Sequence, residues 1–346
     1  MTIAMQAAVP PNASASAGSG REQFLASLLA MAQRVDPSVT AITGLARVSA
    51  GATLETWALD AERPGGGLPL ILRRSPGTRA GTSLPLSTEA EVLRAAGRQE
   101  LAVPAVWHVL RPEDELGDGF LMNRIPGETL ARRIIRDAAY AGARQVFAAQ
   151  IGTTLGKLHD LAADRLPTLP YSDARTQLAR MTAELAKPGV QPRPVFELAI
   201  KWLEAKLPEP VDPRLVHGDF RLGNLIVGEN GLRAVLDWEV AHLGDPAEDL
   251  AWLQIPPWRF GVLGRPVGGV GRAEDMYAAY AAETGRPVDV ERVRFWQVLG
   301  SLRWGVSTAG MVNWLRGGDT TVERAMIARR ASENELDLLR AIMGRD

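Results

Sequence analysis

The chain has 346 residues, with 39 Lys and Arg against 40 Asp and Glu and a formal net charge of −1. That balance supplies no broad positive field for nucleic acid or an anionic membrane surface, and the length allows two domains or lobes. With no cysteine there is no disulfide, thiolate metal site or cysteine nucleophile, which fits a cytoplasmic protein. Residues 1–20, MTIAMQAAVPPNASASAGSG, contain neither Lys nor Arg and read as a disordered leader, not a secretory signal. The longest apolar stretch, near the C-terminus, is broken by Arg303, so no membrane span is expected.

From Arg21 to Val35 the residues Phe24, Leu25, Leu28, Leu29, Ala32 and Val35 recur at helical spacing. LARVS, LETWALD and LPLILRR then read as short strands, separated by AGAT (50–53) and ERPGGG (62–67). Such runs predict an antiparallel meander. Thr88 and Glu91 have the spacing of a capping box opening a helix through about Gly97. GFLMNRIPGETL (119–130) predicts a strand ending in a Pro-Gly turn, a natural hinge. Beyond it the pattern turns helical, with Phe147, Ile151, Leu155 and Leu158 on one face and Gly152 and Gly156 allowing close approach. A short helix over 195–206, a Pro/Gly loop over 255–271 and further helices complete the order. The expected organisation is a leader (1–20), a small β-rich lobe (21–124) and a larger, mainly helical lobe (125–346) with one embedded hairpin.

The hairpin carries the chemistry. LVHGDFRLGNLIVGENGLRAVLDWE (215–239) holds two strand-like runs around Asn230-Gly231, a pair tolerant of positive φ. If those runs pair, Asn224 falls nearly opposite Leu236, so Asn224 and Asp237 share the open end, where the loop bearing Asp219 enters. An Asp–Asn pair there suits Mg²⁺, which takes few protein oxygens and completes its octahedron with water and phosphate. Asp219, five residues before Asn224, remains available to hold a substrate hydroxyl.

H-G-D-x-x-x-x-N followed by a hairpin and D-W-E resembles the aminoglycoside phosphotransferase family, a branch of the kinase-like fold. HGDFRLGNLIV…VLDWE is most similar to phosphotransferases related to the kinase domains fused to some acyl-CoA dehydrogenases. The resemblance runs from about Ile42 to the last helix. It implies an α+β, protein-kinase-like two-lobe fold and an ATP- and Mg²⁺-dependent transfer to a small-molecule hydroxyl. Asp219 would be the catalytic base and Asn224 and Asp237 would hold the metal; Arg221 either neutralises the transferring phosphoryl group or forms a surface salt bridge.

By position, Ser49 and Gly51 would cover the phosphates. Arg73, with Arg74 on the opposite strand face, would replace the usual phosphate lysine, and Glu89, with Glu91 as competitor, would orient it. Backbone groups of Met122, Asn123 and Arg124 would read the adenine edge. His217 is expected to be structural, His159 to pack in the core, Glu239 to support the metal or the loop, and Asp245 and Asp249 to cap or anchor a helix. His108 and His242 have no partner at metal-ligand spacing, so no zinc is expected. Trp252, Trp258, Trp296, Trp304 and Trp314 read first as core; any that line the cleft would favour a partly apolar alcohol over an aminoglycoside. The competing function is a pseudokinase that holds nucleotide without transfer. A protein kinase fits less well, because D-F-G and A-P-E are missing.

Overall fold

The computed structural model describes residues 16–50, 54–77, 83–187, 191–318 and 322–344. Gly51 lies outside them, and of Ser49 only the backbone is described. In chain order the elements are α1 (Ser16–Val35), β1 (Ala41–Ala50), β2 (Glu55–Glu62), β3 (Leu68–Ser75), α2 (Leu86–Arg98), β4 (Val106–Val109), β5 (Asp118–Asn123) and α3 (Ala131–Arg136). There follow α4 (Ala141–His159), α5 (Ala174–Leu185), α6 (Pro194–Ala205), β6 (Arg214–Val216), β7 (Leu225–Gly228), β8 (Gly231–Val235) and β9 (His242–Gly244). Then come α7 (Ala247–Trp252), α8 (Ala273–Thr284), α9 (Val290–Arg316), α10 (Val322–Ala328) and α11 (Ala331–Met343). Among the described residues no helix is long and apolar enough to cross a membrane.

The chain divides into two compact units, one of residues 1–140, 164–168 and 223–241, the other of 141–163, 169–222 and 242–346. This division does not fall at residue 124. The Pro126-Gly127 turn expected as a hinge leads directly into Glu128, which exchanges two backbone hydrogen bonds of 2.9 Å with Val227 of β7. Val235 of β8 donates to the Ala102 carbonyl, and Leu84 to that of Glu239. The hairpin expected within the helical part is therefore bonded into the first unit.

In that unit the meander pairs as expected and extends to an antiparallel sheet of order β1-β2-β3-β5-β4. Alternation along β3 sends Leu70 and Leu72 into a core with Leu28, Met31, Leu59 and Leu121, and sends Arg73 to the other face. α1 starts at Ser16, so residues 16–20 are helical and not part of a disordered leader. Once the apolar face around Leu28 and Met31 is packed, lengthening a helix costs little per residue. α2 begins at Leu86 after Pro85, with no side-chain cap. Thr88 and Glu91 therefore lie inside the helix and form no capping box. Proline supplies a fixed φ suited to this entry.

In the second unit α4 packs on α8, as the two glycines foretold. A Cβ on Gly152 would lie 2.2 Å from the Met276 carbonyl oxygen, and one on Gly156 would lie 2.8 Å from the side chain of Glu283. β6 and β9 form a small antiparallel pair that leads into and out of the segment carrying the motif.

Candidate functional site

Asp219 stands just beyond β6, in a turn made by Gly218 at φ 77°. Its amide donates to Nδ1 of His217 at 3.2 Å, which accounts for that buried histidine structurally. The Asp219 carboxylate accepts from Arg221 Nε at 3.1 and 3.3 Å and from the Trp252 indole at 2.7 Å. Arg221 is buried, with its guanidinium 4.5 Å from the Trp258 ring centre, while its partner Asp219 is only partly buried.

Beneath this turn lies a buried polar network that sequence reasoning largely missed. Asp249 accepts from the amides of His217 (2.7 Å) and Gly218 (3.0 Å), and sits 3.3 Å from His159 Nε2. His159 also meets the Tyr280 hydroxyl at 3.0 Å, so it is part of this network and not only core packing. Burial alone would raise the pKa of Asp249, but the hydrogen bond and charge of His159, with His217, bring it below the ordinary carboxylate value. Asp249 is thus an anchor of the loop and not a cap. Asp245 does cap α7, accepting from Ala247 at 3.0 Å, and its other oxygen takes the Trp296 indole at 2.7 Å. The available signal was two carboxylates inside the short apolar helix AEDLAW, since acidic groups are buried only when paired.

The first unit assembles the other candidates. Arg73 reaches Glu89 at 3.4 Å and Asp237 at 3.1 Å. Burial opposes the charge on Arg73, but Glu89, Asp237 and Glu239 outweigh it and raise its pKa, leaving a permanent cation. Its Nε is buried and has no hydrogen-bond partner among the described residues. Glu89 is buried and Glu91 exposed, which decides between them as the ion-pair partner. Arg74 turns the other way, to Glu55 at 2.9 Å and to the face of Phe24 at 4.2 Å.

The hairpin has the expected register: Leu225 pairs with Val235, and Leu236 donates to the Asn224 carbonyl at 2.8 Å. Asn224 and Asp237 therefore flank the same end. The turn itself differs from the expectation. Gly228 pairs with Gly231, so Glu229 and Asn230 form its centre, and only Gly231 (φ 129°) has positive φ. Asp237 is left-handed at φ 65°, a conformation costing a non-glycine residue on the order of 1–3 kcal/mol and met chiefly where function requires it. Among the described residues no group of three or more His, Cys, Asp or Glu could hold a metal. Asn224 and Asp237 offer hard oxygens of the kind Mg²⁺ prefers.

Some of the backbone groups expected to read adenine already have partners. The amides of Asn123 and Arg124 already donate to Ala105 (2.9 Å) and Pro69 (3.0 Å), and Met122 pairs within the sheet. These N–H groups are committed because β5 lies between β3 and β4. Among the tryptophans, Trp252 and Trp258 cluster with Ile255 against Trp304; the side chain of Trp314 lies outside the described residues.

Comparison with known proteins bears on the fold and the family. The mouse acyl-CoA dehydrogenase family member 10 is 31% identical over 198 residues, 53% of this chain and 18% of that protein. The chain thus corresponds to a minor part of this much longer relative. A solved structure from Ralstonia eutropha, classed among aminoglycoside phosphotransferases, matches with a TM-score of 0.71 at 20% identity, covering 92% of this chain and 98% of that one. A thermostable aminoglycoside phosphotransferase solved with AMP-PNP and hygromycin B matches with a TM-score of 0.58 at 14% identity, covering 91% and 98%. These likenesses give the α+β, kinase-like fold. The model of the phosphotransferase enzyme family matches residues 44–285, and the chain belongs to that family.

Proposed function

We propose that the protein is an ATP- and Mg²⁺-dependent small-molecule kinase that transfers the γ-phosphate to an alcohol. The observation that carries this reading is the built setting of Asp219: a carboxylate held by Arg221 and Trp252 on a loop whose amides are bound by buried Asp249. Asp219 takes the proton of the acceptor hydroxyl as its oxygen bonds to the γ-phosphorus, and ADP leaves. Arg221 steadies that carboxylate and adds positive charge beside the transferring group. The family members solved with AMP-PNP or ADP support a nucleotide donor.

Asn224 and Asp237 would hold the Mg²⁺, which when bound neutralises phosphate charge. Arg73, fixed by Glu89 and with an Nε that has no hydrogen-bond partner among the described residues, would bind the phosphates, with the Ser49–Gly51 segment covering them. Adenine would be read by carbonyls after Met122, since the neighbouring amides are committed. Nucleotide binding then belongs to residues 21–124 with the hairpin, and acceptor binding to the rest of 125–346. A cytoplasmic location accords with the lack of cysteine.

The test is a screen of Mg·ATP with hydroxylated metabolites and antibiotics, reading ADP and following new phosphate esters by ³¹P NMR. Acceptor-dependent ADP matched by one new ester is expected, with partly apolar alcohols ahead of aminoglycosides. Mg·ATP binding with no acceptor-dependent turnover across the panel would favour a pseudokinase.

A further inference from the structure

We propose that Trp252 is a positioning residue for Asp219, an inference that rests on reading Asp219 as the base. An indole has one donor and no acceptor, so where its N–H points is a single choice. A buried tryptophan can satisfy that donor on any nearby carbonyl. Here it goes to Asp219 Oδ1 at 2.7 Å, the short range of a hydrogen bond to an ionised group.

The ring has little freedom to point elsewhere. The Arg303 guanidinium lies 3.8 Å from its centre, and Trp258 meets it edge-on at 5.5 Å. Arg303 is itself fixed, donating to Glu248 at 2.8 Å and to the Gly218 carbonyl at 2.9 Å. Glu248 is held in turn by Gln177 at 2.6 Å and lies 3.2 Å from His242 Nε2.

One helix organises the whole arrangement. α7 carries Asp249 and Trp252, three residues apart and therefore on the same side. Asp249 grips the two amides before residue 219, while Trp252 grips the carboxylate. Backbone and side chain of Asp219 are thus located from one rigid element, which limits the carboxylate to a narrow range of rotation. Phenylalanine or leucine would pack against Arg303 and Trp258 but could not direct the base. That is the reason for tryptophan at this position.

The test uses the full chain with ¹⁵N-labelled tryptophan, whose nine residues give separable indole signals. Trp252→Phe identifies the Trp252 signal by its loss, or Trp252→Tyr does so should the phenylalanine variant not fold. Asp219→Asn should then move that signal more than any other, because it removes the charge the N–H meets. In slow Mg·ATP hydrolysis with water as acceptor, Trp252→Phe should lower kcat about 10-fold with KM for ATP unchanged. An indole signal indifferent to Asp219→Asn, or a Trp252→Phe protein with unchanged kcat beside an inactive Asp219→Asn protein, would overturn the proposal. Unchanged hydrolysis in Asp219→Asn would instead refute the base assignment, and the indole signal alone would then decide whether Trp252 holds Asp219.

Discussion

Removing the Arg73 guanidinium should destabilise the protein through the carboxylate it leaves behind. Glu89 is 1% exposed and lies 3.4 Å from Arg73; Asp237 is 3.1 Å away and better solvated at 13%. At an effective dielectric constant of about 20, a pair at that separation interacts by about 5 kcal/mol. Breaking a buried pair by deleting one partner typically costs about 3–5 kcal/mol. Arg73→Ala should therefore lose about 3–5 kcal/mol in chemical denaturation. Neutralising the buried carboxylate as well, in Arg73→Ala/Glu89→Gln, should restore much of it, whereas simple loss of packing would not be restored. Mg·ATP affinity, measured by calorimetry on both proteins, should fall while adenosine affinity stays near the wild-type value. A loss under about 1 kcal/mol, or a double variant no better than the single one, would refute the claim that Arg73 neutralises Glu89.

Asp237→Ala should weaken ATP binding and remove its Mg²⁺ dependence; equal affinity in EDTA, or in the variant, would contradict the metal assignment. Because Asp249 is more acidic in the folded protein than its ordinary value of 3.8, its contribution to stability is complete above that pH and lost as pH falls below it. Denaturation curves of Asp249→Asn should accordingly lack part of the acid loss of stability seen in the wild type. Parallel curves for the two proteins below pH 4 would count against the buried anchor.

Local pattern was what the sequence expressed well. Period-two alternation in LILRR separates Arg73 from Arg74, whereas Asn224 comes level with Leu236 only because the pairing shifts between Ile226 and Val227, beyond a turn centred on Glu229 and Asn230. The side-chain choice between Glu89 and Glu91 needed the helix to be packed, because both carry the same charge and lie two residues apart near its start. What stayed hidden depends on distant pairing. Nothing local shows that Glu128 bonds Val227, or that Asn123 and Arg124 spend their amides on Ala105 and Pro69. The four residues of β4 are too few to show a period, and they are a strand because β5 lies beside them. Trp252 reads as core and Asp249 as a helix cap or anchor, since their partners stand more than thirty residues earlier in the chain.

The central claim is that Asp219 is the base, and Asp219→Asn tests it most directly. The amide keeps nearly the same shape but cannot take the hydroxyl proton. With an acceptor from the screen, turnover should fall by about 10²–10⁴-fold, the usual contribution of a positioned base. Mg·ATP affinity should stay close to wild type, because the metal and phosphates are assigned to Asn224, Asp237 and Arg73. Turnover within a few-fold of wild type, or nucleotide affinity and melting temperature falling together with it, would contradict the account.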